Sequence, residues 1–157
     1  MDVDIVTRAE AYILGIGARI NPATVNWDDL WGRQFASREA EIAALAVEPG
    51  YFALYASTGE ADTVDFVAGM ASKNLGVAPE GLMLYTVPAG LYAAFPCTMA
   101  TIESTWNSIY DEWLPSSGYT RDDTRPDLEY YVPGSAGSDA PVTIYMPVAP
   151  APQQEQS

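Results

Sequence analysis

Residues 101–119 read TIESTWNSIYDEWLPSSGY, and this stretch decides the fold. Ile102, Trp106, Ile109 and Trp113 recur at steps of four, three and four, the spacing of one helical face, with Tyr110 beside the stripe and Glu103, Asp111 and Glu112 left for solvent. Pro115 and Gly118 close the helix. Upstream lies an extended stretch, 82–97, with a kink or bulge at Pro88–Gly90. Downstream, DLEYYV (127–132) and VTIYMPV (142–148) flank the Gly/Ser-rich loop PGSAGSDA and read as a hairpin. The order is strand, helix, strand, strand.

The first half of the chain repeats that order. AYILGIGARI (11–20) alternates as a strand and stops at Asn21-Pro22. Asn26 then offers an N-cap, with Asp28 and Asp29 at the positive end of the helix dipole. Trp27, Leu30, Trp31 and Phe35 supply the apolar face, and a second helical stretch, 38–47, follows a break. YFALYAS (51–57) and VDFVAGMAS (64–72) form a hairpin across TGEAD. A shift of 75 residues superposes Gly15 on Gly90, Trp31 on Trp106, Phe35 on Tyr110, Tyr55 on Tyr130 and Val67 on Val142. Two βαββ halves, about 4–75 and 79–148, thus form one α+β domain over 1–148, with a groove at their pseudo-twofold axis. The tail from 149, APAPQQEQS, has little to bury and is expected to be disordered.

Composition narrows the chemistry. The 157 residues hold 7 Lys plus Arg against 21 Asp plus Glu, a formal charge of −14, and the basic residues are scattered, so neither nucleic acid nor an anionic membrane is expected as a partner. With no His and one Cys, imidazole-based triads, His- or Cys-built zinc sites and His-ligated haem are excluded. The remaining metal option, a carboxylate cluster, lacks EF-hand spacing, and no cofactor is expected. Cys97 has no neighbouring His or basic cluster and reads as a packed thiol. MDVDIVTRAEAY has no apolar core of a leader, no window reaches the roughly 18 apolar residues of a membrane span, and the reading is a cytoplasmic protein.

One carboxylate stands apart. In the strand 127–132, Leu128, Tyr130 and Val132 share one face, and Asp127, Glu129 and Tyr131 the other. The 75-residue shift sets Glu129 on Leu54, with Phe52 two residues earlier on the same side. Among 10 Tyr, 4 Trp and 4 Phe, a carboxylate in an aromatic cleft favours a cationic partner. A solvated strand position is the alternative reading of Glu129, and core packing that of Trp106, Tyr110 and Trp113.

The runs APEGL (78–82), VPAGLYAAF (87–95), TWNSIYDEWLPSSGY (105–119), PDLEYY (126–131) and VTIYMPV (142–148) resemble the GyrI-like small-molecule-binding domain, the effector-binding module of AraC-type and MerR-type multidrug regulators. That resemblance implies two pseudo-symmetric βαββ units, a curved antiparallel sheet with helices on one side, and an aromatic central cleft whose buried glutamate accepts lipophilic cations. It assigns that glutamate to Glu129, a pocket tyrosine to Tyr145, an aromatic wall to Phe52, and the helix face lining the cleft to Trp106 and Tyr110; Trp31 joins them from the repeat register. PCTMAT (96–101) departs from the family, many members of which carry a Gly near the start of the second helix.

The expected function is that of a stand-alone module, without the regulators' DNA-binding helices, that binds or sequesters hydrophobic cationic or polyaromatic compounds. Two further readings follow from the resemblance. One is a hydrolase of cyclopropane-containing electrophiles with Glu129 as general base and Tyr145 beside it. The other is an interaction protein that inhibits DNA gyrase.

Overall fold

The computed structural model describes residues 2–135 and 137–152. Strands β1 (Asp4–Arg8) and β2 (Ala11–Ile20) precede helix α1, which runs unbroken over 27–44. Then come β3 (Tyr51–Ser57), β4 (Val64–Ser72), β5 (Met83–Val87) and β6 (Gly90–Thr98), helix α2 over 102–116, and β7 (Tyr119–Arg121), β8 (Asp127–Tyr131) and β9 (Pro141–Pro150). Eight strands form an antiparallel sheet in the order β1-β6-β9-β8-β3-β4-β2-β5, and β7 pairs with the end of β9. Asn26 caps α1 by accepting a 3.0 Å bond from the Asp29 N–H, as its sequence position predicts. Gly118, at φ 78°, follows the end of α2 in the left-handed region that a terminating glycine adopts.

The two halves meet where β3 pairs with β8, with Ala53 opposite Glu129. Both helices cover the same face. Phe35 and Ile42 of α1 pack with Phe66 and Met70 of β4; Ile109 of α2 packs with Phe95, Ile144 and Met146 of β6 and β9. The opposite face carries a third core of Ile13, Phe52, Leu54, Val67, Val87, Tyr92 and Leu128, which spans both halves. Gly15 and Gly69 are cross-strand partners in β2 and β4, and a Cβ on Gly15 would sit 1.9 Å from the Ala68 carbonyl oxygen, so only glycine permits this approach of backbones.

The connections explain why the sheet curls. Strand β1 leads directly into β2, yet the two stand six places apart in the sheet, as do β5 and β6. A flat sheet would separate such strands by about 29 Å, whereas the links through 9–10 and 88–89 reach about 11 Å. The sheet therefore bends until its edges approach, toward the face where Val87 and Tyr92 share a core. Each half has accordingly exchanged its leading strand: β1 pairs with β6, and β5 with β2. The sequence alternation gave β2, β3 and β4 their observed limits but read 82–97 as one element, because its two parts look alike locally and differ only in which half they pair with.

Three further expectations change. The break before Arg38 does not occur, since α1 passes through its middle, Leu30–Phe35, as wider π-helical turns; α2 does the same over Ile109–Trp113. The uniform 75-residue register fails in the hairpins. Tyr55 and Glu129, both odd-numbered, share the helix-covered face, as do the even-numbered Phe66 and Ile144, so those strands superpose only with an even shift. The tail does not begin at 149: β9 continues to Pro150, held by Tyr119, and residues 153–157 lie outside the described ones.

Candidate functional site

Between α1 and α2, over the β3–β8 seam, opens a cleft of about 1170 Å³. Its floor belongs to Glu129, which is 4% exposed. Strand alternation aims Asp127, Glu129 and Tyr131 of β8 into it, and antiparallel pairing adds Tyr51 and Tyr55 of β3 on the same face. The π-helical turns turn Trp31 and Phe35 of α1, and Tyr110 of α2, toward it from the sides, with Trp106 one turn earlier in α2.

Glu129 is held by three donors. The Tyr55 and Tyr131 hydroxyls donate to Oε1 at 3.0 and 2.6 Å, and the Trp106 indole N–H donates to Oε2 at 2.7 Å. Burial and the neighbouring Glu129 carboxylate push both tyrosine hydroxyls well above their ordinary pKa, so they stay protonated donors. Among the described residues no Lys or Arg forms a salt bridge with Glu129, and none lines the cleft, although Asp28, Glu39, Glu103 and Asp127 do. The charge at the floor is thus solvated by protein dipoles and left without a countercharge.

Asp127 differs. Its Oδ2 accepts from Arg121 Nη2 at 2.9 Å, while its buried Oδ1 has no partner. Burial outweighs the ion pair and pushes the carboxyl up to about 6, with Glu129 and Asp123 adding to the rise. Burial also opposes the Arg121 charge, but Asp127 more than offsets it and the guanidinium is held above its ordinary value.

Aromatic rings complete the walls. Trp106 and Tyr110 stack at 6.2 Å and 19°, and Tyr110 remains 47% exposed at the mouth. Trp31 meets Tyr131 edge-on at 6.0 Å. Four of the six residues picked from the sequence, Glu129, Trp106, Tyr110 and Trp31, therefore converge here. Phe52 and Tyr145 do not. Phe52 pairs with Tyr130, and Tyr145 with Leu128, which places both on the opposite face of the sheet. Sequence reasoning missed Tyr55 and Tyr51 as site residues; the signal for Tyr131 was present, since it shares Glu129's parity in β8. Cys97, partly buried, packs against the core under α2, where burial pushes its thiol up.

The family model for the GyrI-like small molecule binding domain matches residues 1–149. The chain belongs to this family. A DNA gyrase inhibitor of Erwinia billingiae (strain Eb661) is 35% identical over 75 residues, 46% of this chain and 48% of that protein, so the match spans about half of the relative's length. SAV2435 bound to tetraphenylphosphonium shares the fold at a TM-score of 0.77 and 14% identity, covering 95% of this chain and 94% of that one. The EcmrR C-terminal domain does so at 0.66 and 15% identity, covering 96% and 98%. As a GyrI-like domain the chain is a small-molecule-binding module, and among the described residues no helix is long and apolar enough to cross a membrane.

Proposed function

We propose that this GyrI-like domain binds lipophilic organic cations in the cleft between its helices, in the cytoplasm. The observation that carries the reading is Glu129: a carboxylate 4% exposed, fixed by three neutral donors, in an aromatic cleft that, among the described residues, no Lys or Arg lines. A ligand bearing delocalised positive charge supplies the missing countercharge and lays its apolar body against Trp31, Trp106 and Tyr110. The wider ring of carboxylates draws cations toward the mouth. Tetraphenylphosphonium, the ligand named with SAV2435, is a suitable probe.

General-base hydrolysis is less well supported. Three of the roughly four acceptor positions of Glu129 are taken by protein donors, which leaves little of the carboxylate to activate a water. Tyr145, the partner assigned to that chemistry, stands across the sheet.

Titrating wild-type protein and Glu129→Gln with tetraphenylphosphonium and with neutral triphenylphosphine oxide, followed by tryptophan fluorescence, tests the proposal. A desolvated charge contact of about 2 kcal/mol predicts about a 30-fold loss for the cation, against less than about threefold for the neutral compound. Equal losses for both ligands would remove Glu129 from cation recognition.

A further inference from the structure

The two sequence-picked site residues that the cleft does not use, Phe52 and Tyr145, belong to a second cavity, a trough of about 580 Å³ on the opposite face of the sheet. It crosses five adjacent strands, from β1 through β6, β9 and β8 to β3. Its chemistry is mixed where that of the cleft is one-signed. Arg8 lies over the Tyr145 ring at 4.5 Å and the Phe52 ring at 5.7 Å, and Asp4 and Glu48 sit at its rim.

Arg8 is unusual among the arginines. Arg19, Arg33, Arg38, Arg121 and Arg125 each form a salt bridge; among the described residues Arg8 forms none, although two carboxylates line the same trough. Resting on ring faces holds the guanidinium through its π-plane and leaves its in-plane N–H fork undirected toward any protein acceptor. That fork fits a carboxylate bidentately. Asp4 and Glu48 are exposed acceptors suited to an ammonium group, and they disfavour a plain anion. Tyr145 and Tyr130, both part-exposed, offer apolar surface beside the two signs.

We infer that this trough is a second binding site, taking a zwitterionic aromatic small molecule whose carboxylate meets Arg8 and whose ammonium meets Asp4 or Glu48. It is independent of the cleft, because strand alternation puts Glu129 and Tyr145 on opposite sides of the sheet.

Calorimetric titration of the full chain with L-tryptophan, tryptamine and indole-3-propionate tests the assignment. The expected result is saturable binding of tryptophan, with each analogue at least about tenfold weaker for want of one charge contact. Arg8→Gln weakens tryptophan by about tenfold or more and leaves tryptamine unchanged. Arg8→Lys keeps the charge but not the fork, and falls between the two. Glu129→Gln leaves tryptophan binding intact whatever it does to tetraphenylphosphonium, which separates this proposal from the cleft's. Absence of tryptophan binding to the folded wild type, equal binding of tryptamine, indifference to Arg8→Gln, or loss in Glu129→Gln would each overturn it.

Discussion

On one face of the central strands Glu129 sits among rings and is gripped by their polar tips, the hydroxyls of Tyr55 and Tyr131 and the indole N–H of Trp106. On the other face Arg8 also sits among rings, but it lies over the flat faces of Tyr145 and Phe52 and bonds to no tip. The same residue types thus host opposite charges, because an aromatic side chain presents a negative face and positive donors at its edge. The difference teaches where each charge draws its stability. A carboxylate 4% exposed has exchanged water for directed hydrogen bonds and depends on them, as they depend on it. The partly exposed Arg8 keeps its hydration and uses the rings as a shelf.

The largest test of this contrast is Glu129→Leu. It strands three part-buried donors at once, at a cost of about 3–4 kcal/mol after water has partly re-solvated the opened cleft. For a chain of this size that is a fall of about 10 °C in melting temperature, readable by calorimetry. Glu129→Gln keeps an acceptor oxygen and should lose less than half as much. If Leu and Gln variants melt together near wild type, the donors are solvated without Glu129, and the asymmetry between the faces fails.

How far the sequence foretold this arrangement depended on whether local pattern or long-range pairing decided each feature. Helix α2, the Asn26 cap and the parity of β8, which separates Glu129 from Leu128 and Tyr130, all follow from spacings within a few residues. The face of Tyr145 does not. VTIYMPV alternates Val142, Ile144, Met146 and Val148 against Tyr145, but only the pairing of Leu128 with Tyr145 says that the alternating set, rather than the tyrosine, faces the helices. Phe52, assigned through the family resemblance, was also set on the side of Glu129 by an odd repeat shift, whereas those strands need an even one. The exchange of β1 and β5 between halves is likewise invisible locally, since each is a short extended run two residues from its sequential neighbour.

Asp127 allows a second test on the cleft side, through pH. Its carboxyl is raised from 3.8 to about 6, chiefly by burial, so the folded state holds a proton that the unfolded chain has already released. The stability tied to that proton is complete below about pH 4 and is lost as pH rises through 6, a change of about 3 kcal/mol for a rise of about 2 units. Asp127→Asn should flatten this decline in urea-unfolding free energies between pH 4 and 7. The same ionisation adds a buried negative charge two residues from Glu129 in the lining, so affinity for tetraphenylphosphonium should climb over that range in wild type and stay level in Asp127→Asn. A parallel profile in the variant would move the titration to another group.

The smallest effect belongs to the other face. Arg8 contributes a cation–π contact at 4.5 Å on a partly exposed edge strand, where such contacts are worth about 0.5–1 kcal/mol. Replacing it with leucine keeps apolar cover over Tyr145, strands no buried donor, and breaks no salt bridge. Against that, the chain moves from −14 to −15, which adds slightly to self-repulsion. Arg8→Leu should therefore lower stability by less than about 1 kcal/mol, or about 2–3 °C in melting temperature, and leave tetraphenylphosphonium binding unchanged. A loss matching that of Glu129→Leu would mean that the guanidinium is as deeply committed to the fold as the carboxylate. In that case Arg8 would hold the trough's wall together, and its fork would not be free for a ligand.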